Sequence, residues 1–79
     1  MRLDKFLKVS RILKRRTLAN EACDAGKVYV NERLSKPGHK LKIGDVVRVE
    51  FVSGALTFRV LALNEKARKE EADSLYEIL

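Results

Sequence analysis

The sequence predicts an α+β protein, in which two N-terminal helices pack on a small, mainly antiparallel sheet and a short helix follows at the C-terminus. Three observations support this fold class. Apolar residues recur at helical spacing from Leu3 to Ala25, and β-branched residues mark extended segments between Val28 and Val60. The C-terminal segment, from Asn64 to Leu79, is rich in Glu, Lys and Ala, which favour helix.

The two N-terminal helices are predicted to be short and amphipathic. Leu3, Phe6 and Leu7 are spaced i, i+3, i+4 and predict a first helix over residues 3–9. Thr17 is a suitable N-cap for a second helix with the sequence LANEACDA. Because this second helix is rich in small residues, we expect it to pack closely against the first.

Three strands are predicted in the middle of the chain. The first lies in KVYVNERL, where valines alternate with polar residues and Asn31-Glu32 marks a turn. The second covers roughly residues 46–52 and is rich in β-branched residues. A turn at Ser53-Gly54 then leads into ALTFRVLAL, which we expect to pair antiparallel with the second strand.

The tail, residues 64–79, is predicted to be a helix that packs on the same domain. Four of its residues form an i, i+3, i+4, i+7 stripe that could dock on the sheet: Ala72, Leu75, Tyr76 and Leu79. The chain is therefore divided into a main domain over residues 1–63 and a helical tail over residues 64–79.

Charge is the strongest global signal. The 79 residues carry a net charge of +6, and residues 1–48 contain 13 Lys and Arg against 5 Asp and Glu. Residues 49–79 contain 4 Lys and Arg against 6 Asp and Glu. Such an asymmetry indicates a polyanionic partner, most often nucleic acid, for the first part of the chain. The alternative is a solvated cationic face that aids solubility.

Several function classes are disfavoured. No apolar stretch approaches the ~20 residues of a membrane span, so no membrane partner is expected. The chain starts MRLDKFLK without an apolar signal region and has one cysteine, which favours a cytoplasmic location. One His and one Cys cannot form a zinc site, and Cys23 is expected in the core and His39 in an exposed loop. We therefore expect no catalytic residue, metal or cofactor, and no enzyme.

The basic N-terminal segment is the candidate site. Between the start of the chain and Thr17 there are seven cations, with Asp4 as the one acid: Arg2, Lys5, Lys8, Arg11, Lys14, Arg15 and Arg16. Arg and Lys neutralise phosphates, and the start of the second helix adds backbone N–H groups and partial positive charge. Asp4 could orient a neighbouring arginine by ion pairing or could favour the N-terminus of the first helix.

Four short motifs in this order resemble the RNA-binding domain named after ribosomal protein S-four, also called the alpha-L RNA-binding motif. They are Arg2-Leu3-Asp4 with Leu7, Arg15-Arg16-Thr17 with Ala19 and Ala22, the segment GKVYVN from Gly26 to Asn31, and Lys42-Ile43-Gly44-Asp45. The resemblance covers about residues 1–50. Glu32 departs from the family pattern, which usually has glycine at this position.

The resemblance implies that cations on the two helices contact the phosphates and sugars of structured RNA, by backbone shape more than by sequence. The implied RNA-binding residues are Arg2, Lys5, Lys8, Arg11, Lys14, Arg15, Arg16 and Thr17, with further contacts from Lys27, Tyr29 and Asn31 at the sheet edge.

Stand-alone members of this family form two ribosome-associated groups, and the chain is most similar to the RqcP group of bacterial ribosome-associated quality control. That similarity implies a monomer that binds large-subunit rRNA and peptidyl-tRNA. It also implies a role beside the tailing factor RqcH, of the NEMF class, which adds C-terminal alanines to stalled nascent chains. The other group, the alpha-L heat-shock proteins, implies recycling of large subunits that still carry a nascent chain.

Two further alternatives remain open from the sequence. Two short helices beside a basic run resemble a DNA-binding helix-turn-helix, although LANEACDA offers few polar residues for base edges beyond Asn20 and Glu21. The chain could also be a targeting module that acts with a separate RNA-modifying enzyme.

Overall fold

Two short helices begin the fold. The computed structural model describes residues 1–13, 16–52 and 54–79, and for residues 16–18 it describes the backbone alone. Helix α1 spans Leu3–Val9, which confirms the predicted bounds, and α2 spans Arg16–Asp24. The predicted N-cap is wrong, because an N-cap residue has extended backbone, whereas Thr17 is already helical.

A loop that contains Pro37 and His39 closes the N-terminus of α1. The amides of Leu3 and Asp4 donate to the carbonyl oxygens of His39 and Pro37, at 2.8 and 3.1 Å. Arg2 forms an isolated β-bridge with Lys40. These contacts satisfy backbone donors that a helix N-terminus leaves without intrahelical partners. They also fix the loop against α1.

Five antiparallel strands form one sheet in the order β2-β1-β3-β4-β5. The strands are β1 (Val28–Val30), β2 (Arg33–Leu34), β3 (Val46–Phe51), β4 (Gly54–Val60) and β5 (Tyr76–Ile78). The three predicted strands correspond to β1, β3 and β4, and β3 pairs antiparallel with β4 as expected. The turn between β3 and β4 was predicted at Ser53-Gly54. Ser53 lies outside the described residues, and Gly54 is the first residue of β4.

A tight hairpin joins β1 to β2 at the predicted turn. Asn31 and Glu32 have φ angles of 51° and 69°, so both adopt the left-handed conformation. Two successive left-handed residues are typical of a type I′ turn, whose twist suits an antiparallel hairpin. Glu32 adopts this conformation without the freedom that glycine would have.

The tail differs from the prediction of one continuous helix. Residues Lys69–Leu75 form a 3-10 helix, and the chain then turns into β5 along the edge of β4. Tyr76 and Ile78 pair with Val60 and Phe58, which are distant in sequence. Helical periodicity cannot reveal such a pairing. As a result Leu75 is buried, whereas Leu79, the last residue of the predicted stripe, is 55% exposed.

The core lies between the helices and one face of the sheet. Phe6 of α1 stacks on Phe58 of β4 with ring centroids 6.0 Å apart, and Tyr76 meets Phe58 edge-on at 5.6 Å. Ala19 and Cys23 of α2 are buried in the same cluster, which confirms the prediction that Cys23 is a core residue. No helix in the described residues is long and apolar enough to cross a membrane.

Candidate RNA-binding surface

A buried carboxylate organises the site. Asp4 lies in the first turn of α1 with no exposed surface. Its oxygens accept hydrogen bonds from Arg2 Nε at 3.2 Å and Nη2 at 3.3 Å, from Asn20 Nδ2 at 2.8 Å and from the Lys5 amide at 2.8 Å. Of the two roles predicted for Asp4, the ion pair with a neighbouring arginine is therefore present.

This pair sets the direction of the Arg2 guanidinium. The Arg2 side chain keeps 51% of its surface exposed while its inner edge faces Asp4. A guanidinium has five N–H donors in a rigid fork, so donors remain for a phosphate. Because the side chain is already ordered, binding costs less conformational entropy than for a freely rotating arginine.

The other described cations near α1 differ in how exposed they are to a binding partner. Lys8, in the last turn of α1, and Arg11, just after it, are exposed. Lys5 is half-buried, and its Nζ lies 3.8 Å from a carboxylate oxygen of Glu65. We call Lys5, Lys8 and Arg11 the helical face.

Four predicted contacts lie where side chains are not described. Lys14 and Arg15 fall outside the described residues. Arg16 and Thr17 are in the first turn of α2, and their side chains are outside the description. Their roles in RNA binding stay predictions.

Two of the three predicted contacts at the sheet, Tyr29 and Asn31, already have partners within the protein. The guanidinium carbon of Arg48 lies 4.4 Å from the centre of the Tyr29 ring, a cation–π contact. The Asn31 side chain donates to Asp45 Oδ1 at 3.1 Å and accepts from the Val46 amide at 3.0 Å. The Asn31 amide thus ties the hairpin to the turn before β3. Lys27 is exposed between α2 and β1.

The structure reveals a second group of basic residues, of which only Arg2 was singled out as an RNA contact in the sequence. An open groove of about 1010 Å³ lies between the N-terminus of α1 and the segment that contains β2 and the following loop. We call it the loop groove and define it by its basic residues: Arg2, Arg33, Lys36, His39, Lys40 and Lys42.

Four of these cations were missed because they are scattered between residues 33 and 42, where no motif draws attention to them. The excess of Lys and Arg in the first part of the chain did indicate that further cations exist. Residues 1–48 hold 13 cations, whereas the N-terminal run accounts for seven of them. The fold gathers the four by turning β2 back along β1 and fixing the next loop on α1.

The one cysteine is buried, and the one histidine is exposed. Burial, with smaller contributions from Asp4 and Asp24, raises the pKa of the Cys23 thiol to about 11, so the thiolate is scarce at neutral pH. His39 is exposed on the loop. Within the described residues, no group of three or more His, Cys, Asp and Glu could hold a metal ion.

The DNA-binding alternative loses one of its two candidate side chains. A helix-turn-helix protein presents polar side chains of its recognition helix to base edges. Asn20, one of the two polar candidates on α2, instead donates its side-chain amide to the buried Asp4 carboxylate. This side chain therefore holds α2 against α1.

Comparisons with known proteins agree with this geometry. Residues 1–47 match the S4 domain family. The chain is 49% identical, over 99% of its length and 89% of the relative's, to an RQC P-site tRNA stabilizing factor of Halalkalibacterium halodurans. It is 37% identical to a heat shock protein 15 homolog of Aeromonas salmonicida, of which it covers 59%. The trimeric structure of Vibrio cholerae heat shock protein 15 superposes with a TM-score of 0.93 at 30% identity, covering all of this chain and 81% of the other.

Proposed function

The chain belongs to the S4 domain family and, within it, to the RQC P-site tRNA stabilizing factors, and on this premise we propose that it binds large ribosomal subunits obstructed by peptidyl-tRNA. It contacts large-subunit rRNA and the tRNA together. In this way it supports C-terminal alanine tailing of the stalled nascent chain by RqcH. It acts in the cytoplasm, as a monomer and without catalysis.

The Asp4-centred network is the observation that best supports RNA binding. Arg2 is held at 3.2 Å from Asp4, and Asn20 of α2 binds the same carboxylate, so the two helices and the guanidinium form one rigid unit. Lys8 and Arg11 extend the positive charge beyond it. An ordered guanidinium suits a rigid partner, and folded rRNA and tRNA present phosphates at fixed positions.

The proposed mechanism is a clamp that acts by binding energy alone. A tRNA on an isolated large subunit lacks the contacts that a small subunit supplies. A protein that touches both the tRNA and the rRNA makes tRNA dissociation require the loss of two sets of phosphate contacts. Its binding and the binding of tRNA are therefore coupled, and each raises the affinity of the other by the same factor.

Purification of the tagged protein from cells tests this function. We expect large subunits with peptidyl-tRNA to copurify, and puromycin treatment, which releases the nascent chain, to lower the yield. Arg16→Ala should reduce copurification several-fold, whereas Arg68→Ala, an equal charge change in the exposed tail, should not. Recovery of small subunits or DNA in place of large subunits would overturn the proposal.

Recycling of nascent-chain-bound large subunits, as implied for the heat-shock group, is the second candidate. The TM-score of 0.93 to heat shock protein 15 favours it. The coverage favours tailing, since the chain spans 89% of the quality-control relative but 59% of the heat-shock relative. Deletion of the gene separates the two, because alanine tails disappear if the protein supports tailing and persist if it serves recycling.

A further inference from the structure

The loop groove carries positive charge in addition to that of the helical face. Arg33, Lys36, Lys40 and Lys42 are all exposed or partly exposed and line one concave surface. Within the described part of the chain, none of the four forms an ion pair with an acidic side chain. By contrast, Lys5, Arg48 and Arg59, elsewhere on the surface, each lie within 4.0 Å of a carboxylate oxygen.

Asp45 is the one acid among the described lining residues, against five Lys and Arg. Asp45 Oδ1 accepts from Asn31 Nδ2 at 3.1 Å, and Oδ2 accepts from the Lys42 amide at 2.9 Å. The carboxylate therefore braces the turn between Lys42 and β3. Its single negative charge leaves the groove with a clear excess of positive charge.

The walls of the groove are fixed. The carbonyl oxygens of Pro37 and His39 hold the loop to the first turn of α1, and the Ser35 amide donates to the Val28 carbonyl oxygen at 3.0 Å. Arg2 on the opposite wall is oriented by Asp4. The cations are thus attached to a rigid frame, which lowers the entropy cost of binding a rigid partner.

We propose that the loop groove binds the phosphate backbone of structured RNA, as a second RNA contact surface separate from the helical face. Arg2 is the N-cap of α1, and Lys8 in its last turn lies six residues further on, or about 9 Å along the helix axis. Two surfaces at the two ends of one helix can hold two RNA segments at once. The inference rests on the proposed function and adds the residues that take the second segment.

RNA fits this groove better than an acidic protein surface does. Protein–protein interfaces are depleted in lysine and centre on aromatic or aliphatic anchors. Here three of the four unpaired cations are lysines. Lysine is common in phosphate contacts, where charge neutralisation matters more than shape.

A pair of matched triple variants tests the inference. One replaces Arg33, Lys36 and Lys40 by alanine, and the control replaces Arg68, Lys66 and Lys69. Both sets contain one Arg and two Lys, all exposed, and each lowers the net charge by the same amount. Thermal melting first shows that both variants fold. Fluorescence anisotropy then measures their binding to a labelled RNA duplex of about two helical turns at increasing KCl concentrations.

We expect the groove variant to bind at least tenfold more weakly at physiological KCl and the control less than twofold more weakly. The slope of log K against log salt should fall by about 2 to 3 for the groove variant, since each phosphate contact contributes about 0.9. Equal effects of the two triples would overturn the inference. So would retained duplex binding together with lost binding to polyglutamate, which would assign the groove to an acidic protein.

A neutral variant gives an independent measurement. A Cβ atom added at Gly38 would lie 3.7 Å from Arg2 Nη2, in ordinary contact with the guanidinium. Gly38→Leu therefore narrows the groove at Arg2 without changing charge. It should weaken duplex binding several-fold, and unchanged affinity would count against RNA in the groove.

Parallel titrations with tRNA alone and with tRNA-free large subunits show which RNA occupies the groove. The groove variant should lose affinity for the RNA that binds there and keep its affinity for the other. Failure of the groove can be distinguished from failure of the proposed function. If the wild-type protein binds large subunits and the groove variant binds them equally well, the groove assignment is wrong and the proposed function is unaffected. If wild-type protein binds neither RNA, the proposed function falls as well.

Discussion

At the scale of single residues, Asp4 joins the two helices and orients Arg2. Its carboxylate is fully buried and receives hydrogen bonds from both helices through Arg2, Lys5 and Asn20. Removing it would leave the Asn20 amide and the inner edge of Arg2 without their partner. The position of Asp4 in the sequence predicted an ion pair or a dipole effect, but the bond from Asn20, which belongs to the other helix, required the fold.

We predict that Asp4→Ala lowers the free energy of unfolding by about 2 kcal/mol, because the Asn20 side chain and the Lys5 backbone amide lose their buried acceptor, whereas the half-exposed Arg2 can bond to water. Urea denaturation measures the change. Asp24→Ala, at an exposed position at the end of α2, should change it by less than about 0.5 kcal/mol. Similar losses for the two variants would show that Asp4 is not the organising residue.

Cys23 gives a prediction on pH dependence. Burial raises the pKa of its thiol from 9.0 to about 11, so the folded state holds the proton more tightly than the unfolded state. The corresponding stability is fully present below pH 9 and is lost as the pH rises towards 11. The loss approaches roughly 2 kcal/mol.

The measurement compares the free energy of unfolding of the wild-type protein with that of Cys23→Ala from neutral to strongly alkaline pH. Titration of Lys and Tyr affects both proteins alike, so it cancels in the difference. The stability of the wild type should fall more steeply than that of the variant above the ordinary pKa of a thiol. Parallel curves would mean that the thiol titrates alike in the folded and unfolded states.

At the scale of elements, the hairpin between β1 and β2 carries a measurable strain. Glu32 has φ 69°, a conformation that costs a non-glycine residue about 1 kcal/mol. Glu32→Gly should therefore raise the free energy of unfolding by about that amount. Glu32→Gln, which removes the charge and keeps the strain, serves as the control. A loss of stability in the glycine variant would contradict the left-handed assignment.

The tail shows what periodicity can and cannot predict. Its stripe correctly marked Ala72 and Leu75 as buried, since these two residues, spaced i and i+3, share a face in a 3-10 helix as they do in an α-helix. The stripe was wrong at Leu79. Strand β5 forms because the free edge of β4 offers backbone partners, and such a pairing depends on the tertiary fold and not on local propensity.

Alanine substitutions distinguish the two descriptions of the tail. Leu75→Ala should lower the free energy of unfolding by about 3 kcal/mol, because Leu75 is only 2% exposed in the core. Leu79→Ala, at a position 55% exposed, should cost far less. A continuous helix with all four stripe residues docked predicts comparable losses at both positions. Urea denaturation of the two variants decides between them.

At the scale of the whole molecule, the sequence was sufficient for the family, the two helices, the three main strands and the basic N-terminal run. Local patterns encode all of these. It was not sufficient for the loop groove, because its cations come from an edge strand and a loop that only the fold brings to Arg2. Nor could it show that Asn31, predicted as an RNA contact, binds Asp45 and Val46 within the protein.

The dissociation rate of P-site tRNA from isolated large subunits tests the clamp most directly. If the protein holds tRNA and rRNA together, saturating protein should slow the release of labelled peptidyl-tRNA at least tenfold. The double variant Lys8→Ala, Arg11→Ala should lose most of this effect, whereas Lys66→Ala, Lys69→Ala, an equal charge change in the tail, should keep it. An unchanged release rate with wild-type protein bound would contradict the proposed function.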